Sequence, residues 1–202
     1  MLQRTSLSSS APTGAPIICV TGLRGFPHVM GGIESHCEEL LPRIKAIWPD
    51  HRSVVLGRAP YLPEPVGEHR GVEIVGIPCP RSQNLEAVVS TFLAVLSARQ
   101  RGAGLIHIHA IGPGLLAPLA RLLGLKVVVT HHGTDYHRAK WGLFARTALR
   151  AGEWLALSFA NRVIAVSPSL AAQLRQSFPK RAHAIAYIPN GTSDLPGDAD
   201  PA

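Results

Sequence analysis

The sequence predicts an α/β fold in which helices cover both faces of a mainly parallel sheet. Three observations support this prediction. The chain has 202 residues, 46% hydrophobic and only 16% charged, which is enough to bury a sizeable core. Short apolar or β-branched segments alternate with longer segments of helical periodicity. The first strand-like segment is a continuous apolar run, as expected for a parallel strand that is covered on both faces.

The individual elements follow from the same patterns, in chain order. Strands are predicted at the short apolar runs Ile17–Thr21, Ser53–Leu56, Val72–Ile77, Leu105–Ile108, Lys126–Thr130, Arg162–Val166 and Ala184–Ile188. Helices are predicted where apolar residues recur on one helical face, at Ile33–Trp48, Asn84–Arg101, Leu115–Leu123, Trp141–Phe159 and from Pro168 onward. Ser167 is the expected N-cap of the last helix. The proline-rich stretch Ala59–Arg70 is predicted to be a connection.

One domain is expected, and it comprises residues 17–191. Residues 1–16 are polar and lack the apolar core of a signal peptide, so we interpret them as a disordered leader. Residues 192–202 are polar and rich in Pro and Gly, which is typical of a linker or a ragged end. The longest stretch without charged residues, 102–120, contains several Gly, Pro and His residues and is not predicted to span a membrane.

The most informative stretch is residues 17–34, a strand, a glycine-rich loop and the start of a helix. Gly31 and Gly32 directly precede the helix, so backbone N–H groups and the positive end of the helix dipole meet there, which favours phosphate binding. Arg24 adds a guanidinium that can hold phosphate in a forked geometry. The glycine spacing fits neither the dinucleotide fingerprint nor a Walker loop. The alternative is a loop whose glycines only permit tight turns.

Polar residues also follow later predicted strands. His109 comes after the fourth strand, His132 and Asp135 after the fifth, and Ser167 after the sixth. Because the carboxyl ends of parallel strands meet the following loops at one edge of a sheet, we expect a single binding cleft there.

Histidines are concentrated in this region, with five of the ten between residues 107 and 137. No Cys or carboxylate stands beside them at a zinc-type spacing, so no metal is expected. His107 lies within a strand, where a hydrogen bond in the core is its expected role. His109, at the strand's end, could be a core residue or donate to a sugar hydroxyl or a phosphate, and His132 has similar status. Asp135 could orient a histidine, accept a hydroxyl proton or cap a turn.

The charge balance favours anionic partners. Lys and Arg number 20 against 13 acidic residues, which gives a net charge of +7 and a pI near 9.9. The basic residues are scattered and are not interleaved with aromatic residues, so nothing except the charge suggests nucleic acid, and no nucleic-acid partner is expected. Cys19, Cys37 and Cys79 are widely spaced, which is typical of buried free thiols in a reducing compartment.

The sequence lacks residues that two other enzyme classes require. A Ser-His-Asp hydrolase of the nucleophile-elbow type needs G-x-S-x-G, which does not occur in the sequence. A dinucleotide-dependent oxidoreductase needs an acidic residue at the end of the second strand, and Val54–Arg58 contains none.

Five motifs, taken in order, resemble those of one enzyme family. They are TGLRGFPHVMGGIESHCEEL, HIHAIGPG, VVTHHGTDYHRAKWG, RVIAVSPSL and IPNG, and they extend over Ile17–Gly191. This series resembles the N-terminal domain of glycosyltransferase family 4-like enzymes. Within that family it is most similar to the branch that includes rhamnosyltransferases of bacterial surface polysaccharide.

The resemblance implies a GT-B fold, in which two Rossmann-like domains face each other across a cleft. It also implies retaining transfer of a sugar from a nucleotide-sugar donor, without a metal or other cofactor. Gly31 and Gly32 match a glycine pair that approaches the donor diphosphate. His109 matches a histidine that contacts the transferred sugar near the reacting centre.

The remaining site residues follow from the same resemblance. The N-terminal domain of the family mainly holds the acceptor, and His132, Asp135 and Lys140 would line that side. The IPNG motif leads into the crossover between the domains, so Asn190 and Gly191 are the expected hinge. A glycan or polyprenyl-linked acceptor and a cytoplasmic location, peripheral at the inner membrane face, would fit the family and the basic charge.

The expected second domain would follow Gly191, and the chain ends eleven residues later. That domain would carry the cations for the donor pyrophosphate, the E-x7-E carboxylates and the nucleotide-base site. We therefore expect the front half of an enzyme, with weak or no catalysis alone, as a fragment, a truncated product or a chain completed by a separate partner. The alternative is a non-catalytic Rossmann-like domain that binds a nucleotide or a partner chain.

Overall fold

The protein is described here from a computed structural model, which covers residues 14–82, 85–133 and 142–191. An eight-stranded sheet in the order β3-β4-β2-β1-β5-β6-β7-β8 forms its centre. The strands are β1 (Ile17–Thr21), β2 (Arg52–Arg58), β3 (Val66–His69), β4 (Val72–Ile77), β5 (Leu105–His109), β6 (Lys126–His131), β7 (Arg162–Ala165) and β8 (Ile185–Tyr187). All neighbours pair in parallel except β3, which is antiparallel to β4. The predicted, mainly parallel α/β fold is therefore confirmed.

Helices connect the parallel strands. They are α1 (Gly32–Ile47), α2 (Glu86–Gln100), α3 (Ala117–Leu122), α4 (Leu143–Phe159) and α5 (Pro168–Ser177), with short 3-10 turns at Ala59–Tyr61, Pro113–Leu116 and Pro179–Ala184. The predicted cap of α5 is confirmed, since the Ser167 Oγ accepts a hydrogen bond from the Leu170 N–H at 3.2 Å. The predicted helix at Leu115–Leu123 was too long, because its first turn is a 3-10 turn.

The core lies on both faces of the sheet because strand side chains alternate. In β1, Cys19 joins the larger apolar cluster, to which α2 contributes, and Val20 joins a smaller cluster with Cys37 and Leu41 of α1. Helix α1 therefore covers one face of the sheet beside β1, and α2 covers the other. Trp48 was predicted on the buried face of α1. It follows the end of that helix instead, 45% exposed and stacked on His51.

Strand β3 was missed in the sequence, where Ala59–Arg70 was predicted to be a connection. It pairs with β4 through a two-residue turn at Arg70 and Gly71, which have φ of 50° and 82°. Positive φ at both positions is the signature of a type I′ hairpin turn. The sequence signal was weak because Arg, unlike Asn or Asp, is not a typical residue at the first of these positions.

The topology fixes where a site can form. Strands β2, β1, β5, β6 and β7 are consecutive parallel neighbours, so their carboxyl ends lie at one edge of the sheet, as predicted. Within the described part of the chain, no helix is both long enough and apolar enough to cross a membrane.

Candidate functional site

The glycine loop after β1 packs directly on the end of β5. A Cβ atom on Gly22 would lie 2.1 Å from the backbone oxygen of His109, and Gly22 has φ of +94°. Only glycine satisfies both conditions, since it has no Cβ and adopts positive φ without strain. The predicted phosphate loop and the predicted catalytic histidine are thus neighbours in the structure.

His109 is completely buried, at the centre of a histidine cluster. Its Nδ1 lies 3.0 Å from the Nε2 of His132, and its Nε2 lies 3.6 Å from the Sγ of Cys37 in α1. The rings of His107 and His36 are also close, with centroids 4.2 and 6.0 Å from that of His109. These residues are spread over 97 positions of the sequence. The pairing of β5 with β6 and the contact of α1 with β5 bring them together.

Burial determines the charge of this cluster. It lowers the pKa of His109 well below the usual value, and the neighbouring histidines lower it further. Burial likewise lowers the pKa of His107 to about 4 and raises that of Cys37. His109 is therefore a neutral imidazole at pH 7, with one donor and one acceptor nitrogen. It can donate or accept one hydrogen bond to a substrate but brings no charge.

His107 has the role that its position in β5 predicted. Its Nε2 lies 2.7 Å from the Thr130 Oγ1 on the adjacent strand β6, so its hydrogen bond is made within the core. The role of His109 in substrate contact stays a prediction. A ligand would reach the His109 ring only after His132 or the half-buried His36 shifted aside.

Arg24 is held by the protein itself. Its Nε donates to the Glu34 Oε1 at 3.1 Å, its Nη2 donates to the Met30 carbonyl at 2.6 Å, and its backbone N–H donates to the same Glu34 oxygen at 3.0 Å. The side chain predicted to bind phosphate therefore has a structural task, which is to shape residues 24–34. Among the described residues, hydrogen-bond partners are found for the Nε and the Nη2 of Arg24 and not for its Nη1.

Glu34, which sequence reasoning did not single out, is the partner of Arg24 in this loop. Its carboxylate is 6% exposed in the first turn of α1. Burial raises the pKa of Glu34, but the hydrogen bonds from the Arg24 side chain and backbone outweigh it and hold the pKa below its usual value. The available signal was an acidic residue just after a glycine pair and ten residues after an arginine, within one loop-to-helix unit.

Gly31 and Gly32 have opposite surroundings. A Cβ on Gly31 would lie 2.0 Å from the Glu34 Oε2 and 2.6 Å from the Arg24 Nη2, whereas a Cβ on Gly32 would meet no described residue within 4 Å. Gly31 is therefore required by the ion pair, and Gly32 faces open space at the start of α1. The first N–H groups of a helix have no partners within it, so this open position is where an anion can approach.

His131 forms a further buried pair that the sequence did not reveal. Its Nδ1 accepts from the Gly133 N–H at 3.2 Å, so its Nε2 carries the hydrogen and donates to Glu153 of α4 at 2.7 Å. This contact fixes the end of β6 just before His132.

Asp135 and Lys140, the other predicted acceptor residues, lie outside the described residues. Asn190 and Gly191 lie exposed beyond β8, and their hinge role stays a prediction.

The described residues include no group of three or more His, Cys, Asp or Glu side chains that could hold a metal ion. A cavity of about 1010 Å³ lies at the opposite edge of the sheet, beside Ile17, Arg52 and Gly104. It is therefore separate from the site at the carboxyl ends of the strands.

A family comparison identifies the chain. Residues 30–194, which include Gly31, Gly32 and the histidine cluster, match the family model described as Glycosyltransferase Family 4. The chain belongs to glycosyltransferase family 4. A comparison with curated proteins gave no match.

Solved structures agree with this family 4 assignment at the level of the fold. Sucrose-phosphate synthase of Thermosynechococcus elongatus aligns with a TM-score of 0.66 and 22% identity, over 88% of this chain and 48% of that one. HepE of Anabaena, in complex with UDP and glucose, gives 0.56 and 20%, over 88% and 45%. The catalytic domain of starch synthase IV from Arabidopsis thaliana, bound to ADP and acarbose, gives 0.59 and 13%, over 89% and 52%. The family 4 chain thus spans about half the length of these proteins.

The contrast between the two glycines gives a stability prediction for the family 4 chain. Gly31→Ala should lower the free energy of unfolding by about 1–3 kcal/mol, because the new methyl group displaces the Glu34 carboxylate from Arg24. Gly32→Ala should change it by less than about 0.5 kcal/mol in the destabilising direction, since the position is open. Urea unfolding of both variants and the wild type measures the difference, and equal values for the two variants would contradict the proposed packing.

The buried histidines predict a loss of stability in acid. With the pKa of His107 at about 4 in the folded chain and about 6.5 when unfolded, the unfolded chain binds more protons below pH 6.5. The stabilising contribution is complete above that pH and is lost as the pH falls toward 4. At pH 5 His107 alone should lower the free energy of unfolding by about 2 kcal/mol relative to pH 7.5.

Urea unfolding at the two pH values checks this prediction, with His107→Gln as the matched variant. Its acid-induced loss should be smaller than that of the wild type by about the same 2 kcal/mol. An identical loss in both proteins would show that His107 does not titrate as a buried neutral group.

Proposed function

We propose that the chain is the acceptor-side half of a retaining glycosyltransferase, which moves a sugar from a nucleotide-sugar donor to a glycan or lipid-linked acceptor. The observation that carries this proposal is the open position of Gly32 at the start of α1, the helix whose Cys37 contacts the buried His109. The two features together bring an anion-binding helix end and a neutral hydrogen-bonding imidazole to one edge of the sheet. Membership of glycosyltransferase family 4 supports the same activity.

The fold neighbours support a nucleotide-sugar donor. HepE is in complex with UDP and glucose, and starch synthase IV is bound to ADP and acarbose. By this proposal the donor diphosphate of our protein approaches the N–H groups at Gly31 and Gly32. A second domain, on a longer chain or on a separate partner chain, binds the nucleotide base and supplies cations for the leaving diphosphate.

The residues at the sheet edge then have distinct tasks. The positive end of α1 stabilises the charge that develops on the departing diphosphate. His109, as a neutral imidazole, donates or accepts a hydrogen bond to the transferred sugar and orients it. The acceptor hydroxyl attacks on the same face of the sugar, with His132, Asp135 and Lys140 on the acceptor side. These groups supply the charge and hydrogen bonds, so the proposal includes no metal or other cofactor.

Finer assignments are part of the same proposal. The motif resemblance favours a rhamnosyltransferase or related enzyme of surface-polysaccharide synthesis. The net charge of +7 favours work at an anionic surface, so we place the protein in the cytoplasm, peripheral at the inner membrane face, with a polyprenyl-linked acceptor.

Sugar transfer and the Gly32 position can be tested together. The assay measures transfer of labelled sugar from UDP-, ADP-, GDP- and dTDP-sugars to membrane acceptors. It compares the chain alone with the chain plus the product of any reading frame that follows residue 202. Gly32→Val should lower kcat/KM by at least about tenfold, because its side chain occupies the path of the diphosphate. Gly67→Val is the matched control, since its Cβ position is also open and lies beside the distant cavity.

Each outcome of this assay is informative. Transfer that Gly32→Val abolishes and Gly67→Val preserves supports the proposal. Full turnover by the isolated chain would overturn the half-enzyme part, and the absence of transfer with every donor and partner would overturn the enzyme assignment. Nucleotide binding without transfer would favour the non-catalytic alternative.

His109 has a natural comparison in His107, because both lie in β5 and carry adjacent rings, with His109 fully buried and His107 partly buried. In the complete enzyme His109→Asn should lower kcat by about 10²-fold or more, as expected for a group that contacts the reacting sugar. His107→Asn should lower stability by a similar amount but reduce kcat much less. Equal losses of kcat in the two variants would indicate that His109 only supports the fold.

A further inference from the structure

We propose that a second pocket at the same sheet edge binds one neutral sugar ring of the acceptor, an inference that rests on the proposed function. The pocket has a volume of about 230 Å³ and is lined by Pro60–Tyr61, Cys79–Ser82 and Glu86. Its residues follow β2 and β4, and none was predicted to be part of a site. Cys79 was predicted to be a buried thiol, but it is only partly buried because it lies in the loop after β4. Pockets for drug-sized ligands usually measure about 300–1,000 Å³, so this one is suited to a single ring.

The location connects this pocket to the glycine loop. The turn that contains Tyr61 directly follows β2, and the Arg58 N–H donates to the Arg24 carbonyl at 2.8 Å. The Arg24 guanidinium carbon also lies 5.7 Å from the centroid of the Tyr61 ring. The pocket therefore adjoins the phosphate loop on the side away from β5. A second substrate bound there would lie beside the donor without occupying the path to Gly32.

The polar groups of the pocket are held rigidly. Glu86 receives a hydrogen bond from the Arg58 Nη1 at 2.7 Å and another from the Tyr61 hydroxyl at 3.1 Å. The two carboxylate oxygens have about four lone-pair sites between them, so acceptor capacity remains for ligand hydroxyls. Both side chains of the Arg58–Glu86 pair are mostly buried, which fixes the carboxylate against the pocket wall.

Arg58 supplies an independent observation. Its Nε is buried and has no hydrogen-bond partner in the part of the chain that the structure describes. An unpaired buried donor is unfavourable, and such groups are rare in folded proteins. Arg58 holds Glu86 at the pocket wall but does not itself line the pocket, so a ligand there meets the Glu86 carboxylate, which favours a polar occupant over an apolar one.

The composition of the wall favours a neutral sugar over other ligands. Tyr61 and two prolines provide apolar surface for the carbon face of a ring, while Glu86, Ser82 and Arg81 provide groups that accept from or donate to hydroxyls. The charge of Glu86 is compensated by Arg58, and the charge of Arg81, which also lines the pocket, is on an exposed side chain and is screened by solvent. Burial raises the pKa of Cys79, so its thiol stays neutral and adds no charge.

Binding of sugars can be measured on the full chain without donor or turnover. Methyl glycosides of rhamnose, glucose, galactose, mannose and N-acetylglucosamine are titrated while amide NMR shifts are followed. At least one glycoside should bind with a Kd on the order of 10 mM or below and shift the amides of Tyr61, Cys79 and Ser82. Glu86→Gln should weaken that binding by about fivefold or more.

Two further variants keep the test decisive. Glu73→Gln is the matched control, because Glu73 also pairs with arginines, Arg52 and Arg101, but lies away from the pocket, and it should leave the Kd unchanged. Tyr61→Ala removes the apolar wall from a residue that is 40% exposed, so it should fold even if Glu86→Gln does not, and it should weaken binding similarly.

The results separate this proposal from the proposed function. Absence of any glycoside-induced shift at these amides, or equal binding by the Tyr61→Ala variant, would overturn the sugar pocket even if the transfer assay succeeds. Shifts caused by UDP or ADP instead of the glycosides would also overturn it, because the pocket would then bind nucleotide. Glycoside binding in a chain that fails every transfer assay would retain the pocket and reject the enzyme.

Discussion

The buried contact between Glu34 and Arg24 is the interaction on which the site depends. It joins the start of the glycine loop to the first turn of α1, and it explains why Gly31 can carry no side chain. A buried carboxylate is unfavourable without partners, and two hydrogen bonds from Arg24 to one oxygen, together with the charge of that guanidinium, compensate it here.

The histidine cluster obeys a different constraint. Gly22 brings the loop against the backbone of His109, and Cys37 and His132 enclose its ring, so the imidazole is oriented but not exposed. Burial keeps it neutral, since a charged imidazole beside three other histidines would be strongly disfavoured. A ring with these properties suits a group that orients a neutral sugar hydroxyl. It does not suit one that neutralises a phosphate.

The sequence predicted the architecture well because periodicity and strand alternation are properties of long segments. The strand at Ile17–Thr21, the N-cap Ser167, the core role of His107 and the shared sheet edge were all confirmed. Strand β3 was not predicted, because its pairing with β4 depends on one hairpin turn whose sequence signal is weak. The partners of Arg24 were missed because local sequence shows that a cation is near glycines and does not show which anion it meets. The Arg24–Glu34 and His131–Glu153 pairs depend on tertiary contacts, which the spacing of residues in the sequence does not predict.

Because Arg24 is paired with Glu34, it adds little net positive charge to the site. The hydrogen bond to Glu34 raises the pKa of Arg24, so the guanidinium stays charged, but the neighbouring carboxylate offsets its field. Among the described residues, the feature of this edge that favours a diphosphate is the positive end of α1, equivalent to about half an elementary charge. A departing nucleoside diphosphate carries several negative charges, so one helix end is insufficient to stabilise it. By the proposed function, the cations that complete such a site would come from a second domain that faces this edge.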